Sequence, residues 1–307
     1  MATTTTSGIA GSLQVLRHPV RDAQGALDVV LVPGIGTPIP EAWPFANEDW
    51  LATLPDSGAH ARIFAYRYTS NSVGPKPTWE SIVMQGYDLL QQLSDMRPQS
   101  DSDAAASKPL VIVCHSLGGI IAKQALCVAN KQFPRYGSIV NAIAGIIFMS
   151  TPHRYGDKIT SLTRFRDVLE ATTGRNLKVP NVSIEQEGAI LLDLADRFEA
   201  ISLRTPILSC YELRESKNSF ASLRPRYQQL VDREACSTHS PLETIIGLNL
   251  NHHDTCLFVR SVGNEGLPEL NRFVHKTLQD AVRLVEIRLE DRKSHTLRNL
   301  KAEQEPC

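Results

Sequence analysis

The sequence predicts an α/β fold: a mostly parallel sheet with helices on both faces and a short helical insertion. Three observations predict it. Apolar runs at 110–114, 143–149 and 205–211 read as strands buried on both faces rather than alternating ones. Stretches with helical apolar spacing separate them, at 79–93, 120–130, 184–201 and 267–289. One junction, residues 109–119 (PLVIVCHSLGG), passes from strand through a tight turn into helix with a serine at its apex. Strand alternating with helix is most simply a parallel sheet with right-handed crossovers.

Taken in order, residues 1–11 form a small, polar lead expected to be disordered. Leu13–His18 and Leu27–Val32 read as strands, with residues 22–25 (DAQG) as the turn between them. The second runs into residues 33–40 (PGIGTPIP), where two glycines after a buried strand suggest close backbone approach; a plain Gly/Pro turn is the simpler alternative. Residues 41–54, with Trp43, Phe45, Trp50, Leu51 and Leu54, suggest an irregular helix. Ala61–Tyr68 is the next strand. Thr78 can then cap a helix whose buried face carries Trp79, Ile82, Val83, Gly86, Leu90 and Leu93. Residues 97–108 form a polar loop before the serine strand.

Beyond the serine helix, Ile143–Met149 is a buried strand ending in residues 150–157 (STPHRYGD). Ligands gather at such strand ends in open α/β folds, so this loop should border the site. His153 is expected to be structural or substrate-lining rather than catalytic. Residues 158–203 hold no strand, and are either a helical cap over the pocket or a long crossover. Thr205–Tyr211 is a strand followed at once by Glu212, and Glu243–Leu250 is the last, delivering Asn251, His252, His253 and Asp254. A long amphipathic helix starts near Leu267, and residues 291–307 form a charged tail expected to fray. One domain over 12–290, with 158–203 as its possible cap, accounts for the 307 residues.

Composition excludes several classes. Thirty-two basic against 33 acidic residues leave a net charge of −1, which gives no argument for nucleic acid as a partner. Six cysteines are scattered without a CxxC pair or metal-like spacing, so a reducing compartment without structural disulfides is expected. The N-terminus lacks a basic start and apolar run, and no apolar stretch reaches membrane-spanning length. A soluble, cytoplasmic protein is the resulting expectation.

A strand–turn–helix with a serine at the apex is the nucleophile elbow of α/β-hydrolases. Gly118 and Gly119 supply room beside the strained serine, while Cys114 stands at the position of the usual first glycine. Ser116 is the expected nucleophile. A serine hydroxyl needs a base, and the base needs a third group to hold its tautomer. The chain order in this fold is Ser, acid, His, and Ser116, Glu212 and a histidine of the pair His252/His253 follow it at strand ends. Asp232 competes with Glu212 for the acid, with Glu234 a remote third. The expected oxyanion donors are the backbone N–H groups of Ile35 and Leu117.

These residues resemble the serine-esterase branch of α/β-hydrolases. That branch includes lipase-like proteins with a serine-active-site domain, the GPI inositol-deacylases, and hydrolase modules of fungal NACHT- or ankyrin-containing proteins. The matching pieces are the strand and glycine loop at 29–36, residues 50–55 (WLATLP), 61–64 (ARIF), 114–119 (CHSLGG), 148–154 (FMSTPHR), Tyr211–Glu212 and 251–258 (NHHDTCLF). Alignment with the branch's Asn-His-Arg pattern selects His252 over His253. Two departures stand out: Pro33–Gly34 replaces the usual His-Gly, and Thr255 and Leu257 replace Met and Lys of the histidine loop.

The resemblance implies a serine hydrolase acting on carboxylic esters, with a small-molecule or lipid ester as substrate. Its chemistry requires no metal or organic cofactor. The alternatives are a weakly active sensing or signalling module of the same fold, and a thioesterase or transacylase using the same residues.

Overall fold

The computed structural model describes residues 11–18, 27–46, 61–68, 79–97, 108–154, 156–173, 181–218, 226–260 and 266–304. The readings at residues 1–10, the turn at 22–25, Trp50, Leu51 and Leu54, the Thr78 cap, and most of the 97–108 loop fall outside these residues.

The strands are β1 (Ser12–Arg17), β2 (Asp28–Val32), β3 (Arg62–Arg67), β4 (Leu110–His115), β5 (Ile143–Met149), β6 (Ile207–Glu212), β7 (Ser216–Asn218), β8 (Arg226–Gln228) and β9 (Glu243–Leu248). The helices are α1 (Trp79–Met96), α2 (Gly118–Lys131), α3 (Phe133–Ala142), α4 (Lys158–Thr173), α5 (Asn181–Ser202) and α6 (Leu267–Gln304). Seven strands form one sheet in the order β1-β3-β2-β4-β5-β6-β9, and β7 pairs with β8 separately.

Neighbours within the large sheet are parallel, except that β1 runs antiparallel to β3. Only residues 18–27 separate β1 from β2, fewer than the dozen or more that a parallel crossover needs, so the first strand lies antiparallel at the edge. Elements beyond the sequence reading are α3, which starts after the break at Gln132, and the β7–β8 hairpin within the polar stretch after Glu212. The described part of the 41–54 stretch forms two short 3₁₀ turns, Pro40–Ala42 and Pro44–Ala46. α6 continues through the charged tail to Gln304.

Every residue of β2, β4 and β5 is buried, as their apolar runs require, with Asp28 and His115 as the polar members. Successive side chains leave opposite faces. Val30, Val32, Ile112, Cys114, Ile146 and Phe148 meet side chains of α1 to α5. Val29, Leu31, Val111, Val113, Ile147 and Met149 meet Trp43 and the apolar stripe of α6. Beneath β2, the buried Asp28 carboxylate accepts from Arg62 at 2.7 and 3.0 Å, which satisfies its charge at the end of the sheet remote from the serine. Among the described residues no helix is long and apolar enough to cross a membrane.

The chain leaves β2 toward β3 on one side, and leaves β4 toward β5 on the other. The loops after β2 and β4 therefore part at adjacent strands, leaving a crevice at their carboxyl ends. The residues that fill it are Pro33–Gly36 and His115–Leu117.

Ile112 is 1 % exposed at the centre of the sheet. Ile112→Ala should destabilise the protein by about 3 kcal/mol, read as a lowered urea midpoint with unchanged slope. Ile159, 58 % exposed on α4, serves as the contrast. Ile159→Ala should move stability by less than about 0.5 kcal/mol.

Candidate active site

β4 ends in a sharp elbow. Ser116 has φ 52°, a left-handed conformation that costs a non-glycine residue about 1–3 kcal/mol unless its surroundings enforce it. Three hydrogen bonds do so. Ser116 N donates to Met149 O at 2.8 Å, and Ser116 O accepts from Thr151 Oγ1 at 3.0 Å and from Gly119 N at 3.1 Å. The elbow sits so close to the loop after β2 that only glycine fits at two contacts. A Cβ on Gly118 would lie 2.3 Å from Val32 O, and one on Gly34 would lie 2.7 Å from Ser116 Cβ.

The acid leaves β6 at its last residue. Glu212 is fully buried, with Oε2 2.9 Å from His252 Nδ1. Its Oε1 accepts the N–H groups of Val231, at 2.8 Å, and Leu230. The turn after β8 therefore supplies donors to one oxygen and leaves the other for the imidazole. A carboxylate facing Nδ1 makes that nitrogen the donor, so Nε2 carries the lone pair and accepts from Ser116 Oγ at 2.8 Å.

The backbone of His252 is clamped at both ends. Its N–H donates to Ser216 Oγ at 3.0 Å, and its carbonyl accepts from Thr255 Oγ1 at 2.9 Å and His115 Nε2 at 2.8 Å. Thr255, one of the departures from the related pattern, thus has a structural task. His115 must carry its proton on Nε2 to donate to a carbonyl. Burial, then the neighbouring His252, pull its pKa well below the usual imidazole value and keep it neutral.

The structure brings Ser116, His252 and Glu212 into one chain of contacts and places the competing residues elsewhere. Asp232 accepts from Ala235 N at 2.9 Å within a turn, and Glu234 is exposed. The His253 ring stands edge-on to that of His252 at 5.9 Å between centroids, and burial lowers its pKa, offset in part by the Ala171 backbone of α4. His153 is buried against Phe148, with Nδ1 3.3 Å from the Lys123 ammonium on α2. The backbone N–H groups of Ile35 and Leu117 have no backbone acceptor among the described residues. Leu117 opens α2, where N–H groups lack intrahelical partners and the helix dipole favours negative charge. Among the described residues no group of three or more His, Cys, Asp or Glu is placed to hold a metal ion.

Within 158–203 the described residues form α4 and α5. Leu194, Phe198 and Ile201 of α5 join the same apolar cluster as Ile120 and Ile121 of α2. The last turn of α4 lies on the glycine loop: a Cβ on Gly36, φ 73°, would fall 2.1 Å from Thr172 O. Ser116, His252 and Glu212 are each 0 % exposed. The donors Ser216, Leu230 and Val231 and the Thr151 and His115 contacts escaped the sequence reading, because each joins distant segments without a local motif.

The sequence model of the alpha/beta hydrolase family matches residues 29–282. Protein SERAC1 of Bos taurus is 35 % identical over 74 residues, 24 % of this chain and 10 % of that protein. Protein SERAC1 of Danio rerio is 29 % identical over 126 residues, 39 % of this chain and 17 % of that protein. The chain thus matches only a small fraction of the length of these curated relatives. Among solved structures, the lipase BlEst2 of Bacillus licheniformis superposes with a TM-score of 0.51 at 12 % identity, covering 84 % of this chain and 96 % of that one. That likeness is one of fold.

Three buried bases set an expected pH profile. Burial lowers the pKa of His115 and His153 well below their unfolded value, so below about pH 6.5 the unfolded chain binds more protons and stability falls. Burial also pulls Lys123 down to about 8 from 10.5. The cost of its buried charge is complete below pH 8 and is relieved as pH rises toward the unfolded value. Urea midpoints should therefore drop on the acid side. On the alkaline side, burial raises the pKa values of the thiols Cys114, Cys210, Cys236 and Cys256. Stability is lost there as the unfolded thiols ionise, opposing the Lys123 gain, so Lys123→Met should steepen the alkaline fall.

Proposed function

Because the chain belongs to the α/β hydrolase family, we propose that it is a serine hydrolase cleaving carboxylic esters through an acyl-enzyme. The observation that carries this reading is the continuous line from Glu212 Oε2 to His252 Nδ1, 2.9 Å, and from His252 Nε2 to Ser116 Oγ, 2.8 Å. In this reading Ser116 Oγ attacks the ester carbonyl carbon while its proton passes to His252 Nε2. Glu212 holds the ring and stabilises the imidazolium that forms. The carbonyl oxygen becomes an oxyanion, received by the N–H groups of Ile35 and Leu117. Each such donor contributes on the order of 3 kcal/mol to the transition state. The alcohol departs with the proton from His252, and water then repeats the sequence to release the acid and free Ser116.

The substrate is a small-molecule or lipid ester. Acyl thioesters pass through the same tetrahedral intermediate, so thioesterase or transacylase activity is the alternative chemistry of the same residues. The five described cysteines are buried free thiols, which supports a reducing, cytoplasmic setting. The complete burial of Ser116 favours a second reading, a module whose site turns over slowly and serves sensing.

A fluorophosphonate probe should label the protein, and Ser116→Ala should abolish labelling; a wild type that resists the probe supports the sensing module. Glu212→Gln should lower kcat on p-nitrophenyl esters by roughly 10³- to 10⁴-fold, whereas Asp232→Asn should change it less than about tenfold. The reverse ranking transfers the acid role to Asp232. Relative kcat/KM on p-nitrophenyl esters and acyl thioesters separates the two chemistries.

A further inference from the structure

The two N–H groups assigned above to the oxyanion are held in different ways. Leu117 begins a helix, and its carbonyl accepts from Ile120 N and Ile121 N, each at 3.1 Å, so the elbow and helix fix its neighbourhood. Ile35 lies in a loop with no ladder of its own. A trans peptide is a rigid plane with its C=O and N–H pointing in opposite directions. The direction of the Ile35 N–H is therefore set by whatever holds the Gly34 carbonyl. That carbonyl accepts from Thr37 Oγ1 at 2.8 Å and from Thr37 N at 3.3 Å.

The preceding plane is held as well. Pro33 has no N–H, so its carbonyl is its only backbone polar group, and it accepts from Tyr68 Oη at 2.8 Å. Tyr68 follows β3, the neighbour of β2 on the side away from the serine strand. On the other side the same carbonyl abuts Gly118, where a Cβ would lie 2.5 Å from it. Packing alone does not complete this clamp. The loop borders an open cleft of about 190 Å³, lined also by Pro38, Ile39, Pro40, Tyr66 and Tyr68. Without the two hydroxyls, the planes can tilt toward that space.

We propose that Thr37 and Tyr68 are positioning residues that aim the Ile35 N–H at the oxyanion by holding the two peptide planes before it. The inference rests on the serine-hydrolase reading. Neither hydroxyl touches the substrate; both act through the backbone. The effect is directional, because a hydrogen bond prefers an angle above about 150° and weakens steeply below about 120°. A tilted plane thus forfeits part of the 10²- to 10³-fold that a whole oxyanion donor supplies. The loss should fall on kcat, since the N–H meets developing charge more strongly than the ground-state carbonyl.

The test uses the full chain with p-nitrophenyl butyrate as substrate and an alkyl trifluoromethyl ketone as an inhibitor whose hemiketal places an oxyanion in the same spot. Thr37→Val and Tyr68→Phe should each lower kcat about tenfold with KM within about twofold, while the ketone Ki rises by the factor that kcat/KM falls. Thr37→Ser, which keeps the hydroxyl, should restore most of the activity. Urea midpoints report whether each variant is folded. Folded variants with wild-type kcat, an unchanged ketone Ki, or a Thr37→Ser as impaired as Thr37→Val would overturn the positioning roles. A wild type that neither hydrolyses the ester nor reacts with fluorophosphonate removes the hydrolase reading itself, and this inference with it.

Discussion

The close approach between the loop after β2 and the elbow after β4 is the constraint that orders the rest of the molecule. Gly34 meets Ser116 and Gly118 meets Val32 at distances no side chain tolerates. Adjacent parallel strands lie roughly 4.8 Å apart, so two loops leaving them can touch at this range only if both turn sharply at once. The strain falls on the serine, at φ 52°, and again on Ser150, φ 47°, where β5 leaves the same rim. Both are enforced by cross-strand bonds, Ser116 N to Met149 O and Ser150 N to Cys210 O, each 2.8 Å. The strained backbone is thus supported by the ladder beneath it as well as by its own turn.

From that rim the acid and base are assembled by register. β6 pairs Glu212 with Leu248 of β9, which puts the carboxylate at the same level as the exit of the last strand. His252 lies four positions beyond Leu248, and its backbone is caught by Ser216, Thr255 and His115 before its ring is considered. A buried carboxylate and a buried imidazole each need all their polar atoms met. Leu230 and Val231 supply the remaining donors, so the polar stretch after β6 acts as part of the site even though its own pairing is a three-residue hairpin.

What the sequence displays and what it hides follow from contact range. Residues 110–119 show strand, turn and helix within one short window, and the order Ser116, Glu212, His252 is visible because each residue lies at or just beyond the end of a strand. Glu212 could be preferred to Asp232 because it leaves a strand directly, and the geometry places it against the ring. The antiparallel direction of β1, the second helix after Gln132, and the donors Leu230 and Val231 carry no periodic signal. They depend on which distant segment lies alongside, and apolar spacing does not encode that. Cys114 illustrates the converse. A small residue is needed beside the elbow helix, and here the thiol is wholly buried in the cluster with Ile120 and Ile121, its pKa raised by burial.

Burial of the serine sets the energetic terms of substrate entry. α4 places Leu162, Phe165, Val168 and Leu169 in the main apolar cluster, each no more than 5 % exposed. Lifting the whole helix would return four such side chains to water, at about 1.5–3 kcal/mol apiece, comparable with the stability of an entire domain. Its final residues, Ala171, Thr172 and Thr173, carry little apolar surface, and Thr172 and Thr173 are the ones in contact with Gly36. Releasing that single turn breaks a few polar contacts and leaves the cluster intact. The cheaper motion is therefore local fraying at the carboxyl end of α4, with the helix body anchored. Such fraying frees Gly36 on that side while leaving the Glu212–His252 pair undisturbed, because the donors to Glu212 come from the turn after β8 and not from α4.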